Sequence, residues 1–272
     1  MDAWQAVVYG VIQGATEYLP VSSSAHLALA PFLLGWDKPS LAFDILVQLG
    51  TLGAVMVYLR DDLVKIARAM VAGVIARRPF DDPWAKKGWL IGIATIPAVV
   101  FGLAVKDFVE EAFGDPQEVL LELLITGLLL LGAELLARRR AGQQSRPMTT
   151  GRATFIGFAQ ALAILPGVSR SGATIAGALA VGVEREEAGR FSFLMSIPVM
   201  LGAGVLGVKD LAEQPGLVER EGAGILISFV TAALVGFVVI RWFLGFIRRH
   251  SMYGFAAYCI AVSVLGLLAT RL

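Results

Sequence analysis

Apolar residues fall into long and short runs along the chain. A helix that crosses a bilayer needs about 20 mostly apolar residues, and the long runs approach that length. These predicted spans are residues 41–59, 88–105, 119–137, 191–208, 223–244 and 252–269. Shorter runs lie in pairs, within residues 3–34 and 153–183. We interpret each pair as a re-entrant helical hairpin that enters and leaves the membrane on one side, because irregular backbone at that depth is tolerated only where protein or a cavity surrounds it.

The composition also indicates a membrane protein. Of the 272 residues, 57% are hydrophobic and only 17% are charged, and the mean hydropathy is +0.72. Soluble domains carry about 25% charged residues. The net charge of +1 gives no indication of a nucleic-acid partner, and the single cysteine, Cys259, excludes an internal disulfide. The chain begins without a basic segment, so we expect no cleaved signal peptide.

The order of the runs repeats. Each half has one hairpin followed by three spans, so residues 1–152 and 153–272 are two predicted repeats within a single membrane domain. Gln13 precedes Ser22 by nine positions, as Gln160 precedes Ser169. Chance similarity between serine-rich apolar segments is the alternative explanation.

The odd number of spans per half inverts the second repeat relative to the first. With that topology, 17 of the 23 Lys and Arg residues lie in segments assigned to the cytoplasmic side, as the positive-inside rule requires. The predicted fold is therefore an all-α polytopic membrane protein with an inverted-topology repeat, comprising six transmembrane helices and two re-entrant broken-helix hairpins.

The second hairpin contains the stretch PGVSRSGAT at 166–174, which places a cation among apolar residues. A charge at the bilayer centre costs roughly 2.5–3.5 kcal/mol on insertion scales, so Arg170 needs a partner or a ligand. The first hairpin carries a related stretch, PVSSSAH at 20–26. Both stretches open a half-helix, where free N–H groups and the helix dipole attract anions. Because a guanidinium group binds phosphate through two parallel hydrogen bonds, we predict that the two stretches meet in one phosphate-binding site inside the membrane.

Neighbouring side chains add candidate chemistry. Glu17 and His26 are candidate acids, bases or metal ligands, and a serine of the first stretch is a candidate nucleophile near His26. Structural roles are the alternatives. Arg170 is also suited to be a counter-ion to Glu17, and serines in membrane helices often pack closely and bond to backbone.

Three motifs together resemble the signature of the bacterial undecaprenyl-diphosphate phosphatases of the bacitracin-resistance type. They are QxxxE at 13–17, LPVSSSAH at 19–26 and PGVSRSGAT at 166–174, and FDILVQLG at 43–50 and FSFL at 191–194 are similar to further segments of that family. The resemblance covers nearly the whole chain. It implies a phosphatase that hydrolyses undecaprenyl diphosphate to undecaprenyl phosphate, recycling the lipid carrier of cell-wall synthesis and conferring bacitracin resistance. It also implies a bacterial cytoplasmic membrane protein whose active site opens to the outer face.

The resemblance implies a set of site residues. The catalytic ones are Glu17, Ser23, His26 and Arg170, and the substrate-binding ones are Gln13, Ser22, Ser169, Ser171 and Thr174. Ser24 is a further substrate-binding candidate because of its place in the first serine stretch. The implied cofactor is a divalent cation, Mg²⁺ or Ca²⁺, held by Glu17 with Gln13. Many members of the family have Glu where this chain has Gln13, which weakens a two-carboxylate metal site, and Ala25 stands where Gly is common.

The nucleophile is left open between Ser23, His26 and water. The implied partners are a polyprenyl diphosphate and membrane lipids, with no nucleic acid, and a homodimer is left open. A transporter or flippase of a lipid phosphate or anion is the second hypothesis, because inverted repeats with half-helices are also a transporter design. Glu17 and His26 favour hydrolysis, since a carrier needs cations and donors but no acid–base pair.

Overall fold

The computed structural model describes residues 1–104, 116–140, 142–213 and 216–269, and every regular element among them is a helix. In chain order the helices are α1 (Ala3–Thr16), α2 (Ser23–Leu34), α3 (Leu41–Tyr58), α4 (Arg60–Ile75), α5 (Pro83–Ala104), α6 (Pro116–Arg139), α7 (Thr150–Leu162), α8 (Arg170–Ala180), α9 (Arg185–Glu213), α10 (Leu217–Ile247) and α11 (Tyr253–Ala269). The last residue of the predicted span 88–105 and the end of the predicted repeat 153–272 lie outside the described residues.

Four described helices are long and apolar enough to cross a membrane: Pro83–Ala104, Pro116–Arg139, Arg185–Lys209 and Glu219–Ile247. A fifth candidate is the pair α3 and α4, which is bent by 74° at its break. Large apolar side chains cover the outside of the molecule, among them Leu33, Leu103 and Val205. Such a surface suits lipid rather than water, which confirms an all-helical, multi-pass membrane protein.

Two pairs of short helices, α1 with α2 and α7 with α8, are each interrupted by a serine-containing loop. Ser22 has φ +66° and caps α2, because its hydroxyl accepts a hydrogen bond from the N–H of Ala25 at 3.3 Å. Ser169 caps α8 in the same way, accepting from the N–H of Gly172 at 3.0 Å. A serine at the N-cap satisfies one of the free N–H groups at a helix start, so both half-helices begin within the serine motifs.

The first helix of each short pair packs against a long helix from the other half of the chain. Helix α1 lies along α10, and α7 lies along α5. The approach is close at Gly10, where a methyl group would lie 2.6 Å from Cβ of Thr231, and at Gly157, where it would lie 2.5 Å from the carbonyl oxygen of Ala94. Only glycine allows the backbones to approach this closely, so α1 and α7 each pack tightly against a helix from the other half of the chain.

The main core lies directly beneath those loops. Tyr18, Phe193 and Phe243 are fully buried, with ring centroids 4.7 Å apart for the first two and 5.9 Å apart for the last two. Ile175 of α8 and Met200 of α9 belong to the same cluster. The rigid aromatic packing therefore supports the backbone on which the polar motifs are carried.

Three ion pairs fasten the start of α9 to the first half of the chain. Lys87 Nζ lies 2.9 Å from a carboxylate oxygen of Glu187, Arg185 pairs with Glu134, and Arg190 pairs with Asp62. They join α9 to α5, α6 and α4 respectively. None involves a residue of the serine motifs, so they stabilise the scaffold separately from the candidate site.

Candidate active site

The two serine loops meet at a cavity of about 350 Å³. Its polar lining is Glu17, Ser22, Ser23, Ser24, Gln48, Gln160, Ser169 and Arg170. The remaining walls are mostly apolar side chains from α3, α5, α9 and the loop 163–168. A cavity with one polar end and apolar walls suits a ligand that has a charged head and a hydrocarbon chain.

Glu17 is the centre of the polar end. Its carboxylate pairs with the guanidinium group of Arg170, which is 153 positions away in the chain. Ser23 donates its hydroxyl proton to Oε2 of Glu17 at 2.6 Å, and Gln13 Nε2 donates to the same oxygen at 2.8 Å. The Glu17 and Arg170 side chains are only 5% and 15% exposed. Two charges taken out of water in this way need each other or a ligand.

Arg170 is held on its other side by Tyr18 and Met200. Its guanidinium carbon lies 5.9 Å from the centroid of the Tyr18 ring, within the range of a cation–π contact. Nη2 lies 3.3 Å from the sulfur of Met200. The hydroxyl of Tyr18 in turn donates to the backbone oxygen of Thr51 at 3.3 Å. The guanidinium group is therefore oriented towards the cavity by packing as well as by charge.

Reciprocal hydrogen bonds join the two loops. Ser24 donates to the carbonyl oxygen of Pro166, and Ser171 donates to that of Leu19 at 2.9 Å. At the spacing that separates Ser22 from Ser169, Ser24 corresponds to Ser171 and Leu19 corresponds to Pro166, so the two bonds are equivalent. In this structure the hydroxyls of Ser24 and Ser171 are thus used to clamp one loop to the other.

The serine pairs within each loop show the same correspondence. Ser22 Oγ and Ser24 Oγ lie 3.0 Å apart, and Ser169 Oγ and Ser171 Oγ lie 3.1 Å apart. Thr174 lies one turn along α8, completely buried, and its hydroxyl lies 2.7 Å from the carbonyl oxygen of Arg170 and 2.6 Å from the hydroxyl of Ser192. Of the predicted substrate-binding residues, Ser171, Thr174 and Gln13 therefore lie behind the cavity surface rather than on it.

His26 is not among the residues that line the cavity. Its Nδ1 is 2.7 Å from the carbonyl oxygen of Ser22, and its Nε2 is 2.7 Å from the hydroxyl of Tyr258. The imidazole and the Tyr258 ring are stacked with an interplanar angle of 4°. Both ring nitrogens are thus engaged away from the cavity, and the structure does not bring His26 together with the other predicted catalytic residues.

Helix α6 supplies positioning groups that sequence reasoning missed. Glu122 accepts a hydrogen bond from the N–H of Gly167 at 2.6 Å, and Thr126 accepts one from the N–H of Ser169 at 2.8 Å. Both acceptors hold the backbone of the loop that precedes Arg170, residues 163–169, which we call the arginine loop. The only signal in the sequence was a polar residue at each of two positions one turn apart within an apolar span, and nothing there indicated the loop that they contact.

Gln160 is a second residue that sequence reasoning did not place in the site. It lines the cavity, is 2% exposed, and neither atom of its side-chain amide has a hydrogen-bond partner within the described part of the chain. Gln13 likewise leaves its Oε1 atom unpartnered. Buried amides are normally hydrogen-bonded, so the Gln160 amide, which lines the cavity, is suited to contact a ligand. The signal was present, since Gln160 occupies the same place before Ser169 as Gln13 does before Ser22.

The oxygen atoms around Glu17 can be compared with the ligands that a divalent cation requires. Among the residues that the structure describes, no group of three or more His, Cys, Asp or Glu side chains could hold a metal ion. The oxygens available are the Glu17 carboxylate, the unpartnered Oε1 of Gln13 and nearby serine hydroxyls. Mg²⁺ is commonly bound by one or two carboxylates together with substrate phosphates. The donor set fits a cation that arrives with a phosphorylated ligand, and it does not form a cage of protein ligands.

Comparison with known proteins gives consistent matches over nearly the whole chain. A family model described as "Bacitracin resistance protein BacA" matches residues 6–265. A protein of Alcanivorax borkumensis named undecaprenyl-diphosphatase is 45% identical over 266 residues, which are 97% of each chain. Proteins with the same name from Chloroherpeton thalassium and Rubrobacter xylanophilus are 39% identical over 269 residues and 41% identical over 267 residues. These cover 97% of this chain and 95% and 97% of the relatives.

Proposed function

The chain belongs to the bacitracin resistance protein family, and from that premise we propose that it is a membrane phosphatase that hydrolyses undecaprenyl diphosphate to undecaprenyl phosphate and inorganic phosphate. The relatives reported above carry the name of that activity. The observation that carries the proposal is the buried contact of Glu17 with Arg170 and Ser23, which places an anion-binding cation and a hydroxyl next to a carboxylate at the polar end of a cavity with mostly apolar walls.

Arg170 is proposed to bind the diphosphate. A phosphate that enters the cavity offers the guanidinium fork better geometry than a carboxylate alone, and the bidentate pair is strong in a site with little water. When Arg170 turns to the substrate, one oxygen of Glu17 is released. The amide of Gln160 and the free N–H groups at the start of α8 add donors for the phosphate oxygens.

Ser23 is proposed as the nucleophile, with Glu17 as its base. The 2.6 Å hydrogen bond already directs the hydroxyl proton to Oε2 of Glu17. A bond forms between Ser23 Oγ and the terminal phosphorus while the bond to the bridging oxygen breaks, so undecaprenyl phosphate leaves and the proton moves to Glu17. Water then hydrolyses the phosphoserine and releases phosphate. The protein would accelerate this reaction mainly by positioning the reacting groups and by neutralising charge on the phosphate oxygens.

His26 is proposed to hold the start of α2, and with it Ser23, in position from outside the cavity. Its bonds to Ser22 and to Tyr258 tie the start of α2 to α11, which holds the Ser22–Ser23 backbone in place. Mg²⁺ or Ca²⁺ is the proposed cofactor, with Glu17 and Gln13 as its protein ligands. When bound, the cation would neutralise charge on the diphosphate.

The proposed topology is an inverted repeat of residues 1–152 and 153–272, with six spans and two re-entrant hairpins, in the cytoplasmic membrane of a bacterium. The reciprocal bonds of Ser24 and Ser171 support it, because both partners of one bond correspond to those of the other at a single spacing. Gly10 and Gly157 have that spacing too, and each is in close contact with a helix of the other half. Residue-equivalent contacts of this kind are expected of two repeats related by a two-fold axis. An active site that opens to the outer face is part of this proposal.

Phosphate release from undecaprenyl diphosphate by the purified chain in detergent tests the function, because no vesicle is present and transport cannot contribute. We expect turnover by the wild type and a loss of at least about 10³-fold in Ser23→Ala, since removing a group that acts directly in the reaction abolishes that path. Ser263→Ala is the matched control, because the Ser263 hydroxyl is buried in α11 without a partner. Normal release by Ser23→Ala would refute the role of the serine, and no release by the wild type would refute the function.

A further inference from the structure

A second polar cavity, of about 480 Å³, lies at the other end of α8 from the active site. Helix α8 starts at Arg170 in the active site and has 11 residues, which corresponds to roughly 16 Å of helix. Its last turn reaches the second cavity at Leu179, and the chain continues along that cavity through Gly182. The two cavities are therefore separate sites on one helix.

Arginine dominates the lining of this cavity. Four guanidinium groups, those of Arg138, Arg140, Arg146 and Arg185, face two carboxylates, those of Glu134 and Glu184. The lining therefore has an excess of two positive charges. We refer to this site as the arginine cavity.

Both carboxylates are already engaged by the protein. Arg185 binds both oxygens of Glu134, at 2.6 and 2.7 Å, and the N–H of Met252 donates to Glu134 Oε1 at 2.7 Å. Glu184 accepts from the N–H of Glu187 at 2.9 Å. Glu134 is thus paired with Arg185, and within the described residues no ion pair joins Glu134 or Glu184 to Arg138, Arg140 or Arg146.

Two of the arginines are uncommitted. Arg140 donates to the carbonyl oxygen of Ala180 at the end of α8. Arg138 and Arg146 make no side-chain hydrogen bond or ion pair with any part of the chain that the structure describes. Their guanidinium groups account for the excess charge, and each retains its full set of donors.

The arginine side chains also converge. A methyl group placed on Gly182 would lie 3.2 Å from Cδ of Arg146 and 3.3 Å from Nη1 of Arg140. The backbone N–H of Arg146 donates to the carbonyl oxygen of Gly182 at 2.9 Å, which anchors this part of the connector. Arg146 is exposed and Arg140 is half-buried, so these two cationic side chains meet over one point of the backbone at the open face of the cavity.

We propose that the arginine cavity binds a phosphate oxyanion, supplied either by the headgroup of an anionic phospholipid or by free inorganic phosphate. Guanidinium groups match the geometry of phosphate oxygens, and basic pockets between membrane helices are suited to anionic headgroups. The site is independent of the hydrolysis proposed above, because its residues lie at the opposite end of α8 and its occupancy is measured directly.

The test uses the full chain purified in detergent and compares Arg138→Gln/Arg146→Gln with the wild type. Native mass spectrometry measures the binding of phosphatidylglycerol relative to phosphatidylcholine, and calorimetry measures the binding of inorganic phosphate. We expect the double variant to lose roughly 10- to 30-fold in affinity for one of the two anions, since a lysine or arginine near an anionic headgroup contributes about 1 kcal/mol. Its thermal unfolding should not change, because neither side chain has a partner.

Arg68→Gln/Arg77→Gln is the matched control, since it removes the same charge from exposed positions outside the cavity. Loss of phosphatidylglycerol binding in the cavity variant alone identifies a lipid headgroup, and loss of phosphate binding in that variant alone identifies free phosphate. Phosphate bound in the active site remains in all the variants and does not enter the difference. If the cavity variant binds both anions as the control does, the proposal is wrong and these arginines serve only to orient the chain.

Discussion

Arg170→Lys separates the two roles that the sequence left open for this arginine. As a counter-ion, residue 170 needs only a positive charge beside Glu17, and lysine provides one. As a phosphate ligand, it needs the planar fork of donors that lysine lacks. The structure shows the ion pair with Glu17 and also places the guanidinium group at the cavity, so the two roles predict different outcomes for the same variant.

The magnitudes follow from burial. Glu17 is 5% exposed, and breaking a buried pair by removing one partner costs about 3–5 kcal/mol. Arg170→Ala should therefore lose both activity and stability, and its loss of activity would be hard to interpret. Arg170→Lys retains the charge and should keep most of the stability. It loses at least one charge-assisted hydrogen bond to phosphate, worth about 1.5–3 kcal/mol, which corresponds to roughly a 10- to 150-fold fall in kcat/KM.

Two measurements on each variant give the answer: phosphate release from undecaprenyl diphosphate in detergent, and thermal unfolding. Arg190→Lys serves as the control, because Arg190 pairs with Asp62 away from the cavity and the chemical change is the same. The control should leave kcat/KM unchanged. A kcat/KM within about threefold of the wild type in Arg170→Lys, a difference of less than about 1 kcal/mol, would refute the role of the guanidinium fork and leave the counter-ion role alone.

Three further predictions concern the groups around this pair. Gln13→Glu puts a second carboxylate within hydrogen-bond distance of Glu17, so the concentration of Mg²⁺ or Ca²⁺ that gives half-maximal activity should fall about tenfold; an unchanged or higher value would contradict the assignment of the cation to these residues. Gln160→Leu should raise KM by about tenfold with stability retained, since an unpartnered buried amide is replaced by an apolar group, and an unchanged KM would remove Gln160 from the substrate site. His26→Gln should lower kcat less than about tenfold if the imidazole only supports α2. A loss above 10³-fold, in the range of general acid–base catalysis, would instead show that it takes part in the reaction.

The local parts of the site could be predicted from the sequence. The starts of α2 and α8 follow from serine capping, which acts over two or three residues. The lone Arg170 among apolar residues had to have a partner, because an isolated charge is costly in that environment. The equal spacing of Gln13 to Ser22 and of Gln160 to Ser169 also indicated that the two loops are related.

The contacts between distant parts of the chain could not be predicted in this way. Glu122 and Thr126 hold the arginine loop from a helix whose sequence is mainly apolar, and no local pattern specifies which backbone N–H group such side chains accept from. The partner of the His26 imidazole is likewise decided by the tertiary structure, because Tyr258 lies 232 positions later.

The sequence by itself therefore determined the helical membrane class, the two serine loops and the chemical character of the site, because hydropathy, capping and the cost of a buried charge act over short stretches of chain. Only the tertiary structure decided which groups share the cavity. It pairs Glu17 with Arg170, directs Ser23 to the carboxylate, and uses Ser24 and Ser171 to clamp the loops. Those choices depend on how α1 and α7 pack against helices of the opposite half, where close contact between backbones sets the distances.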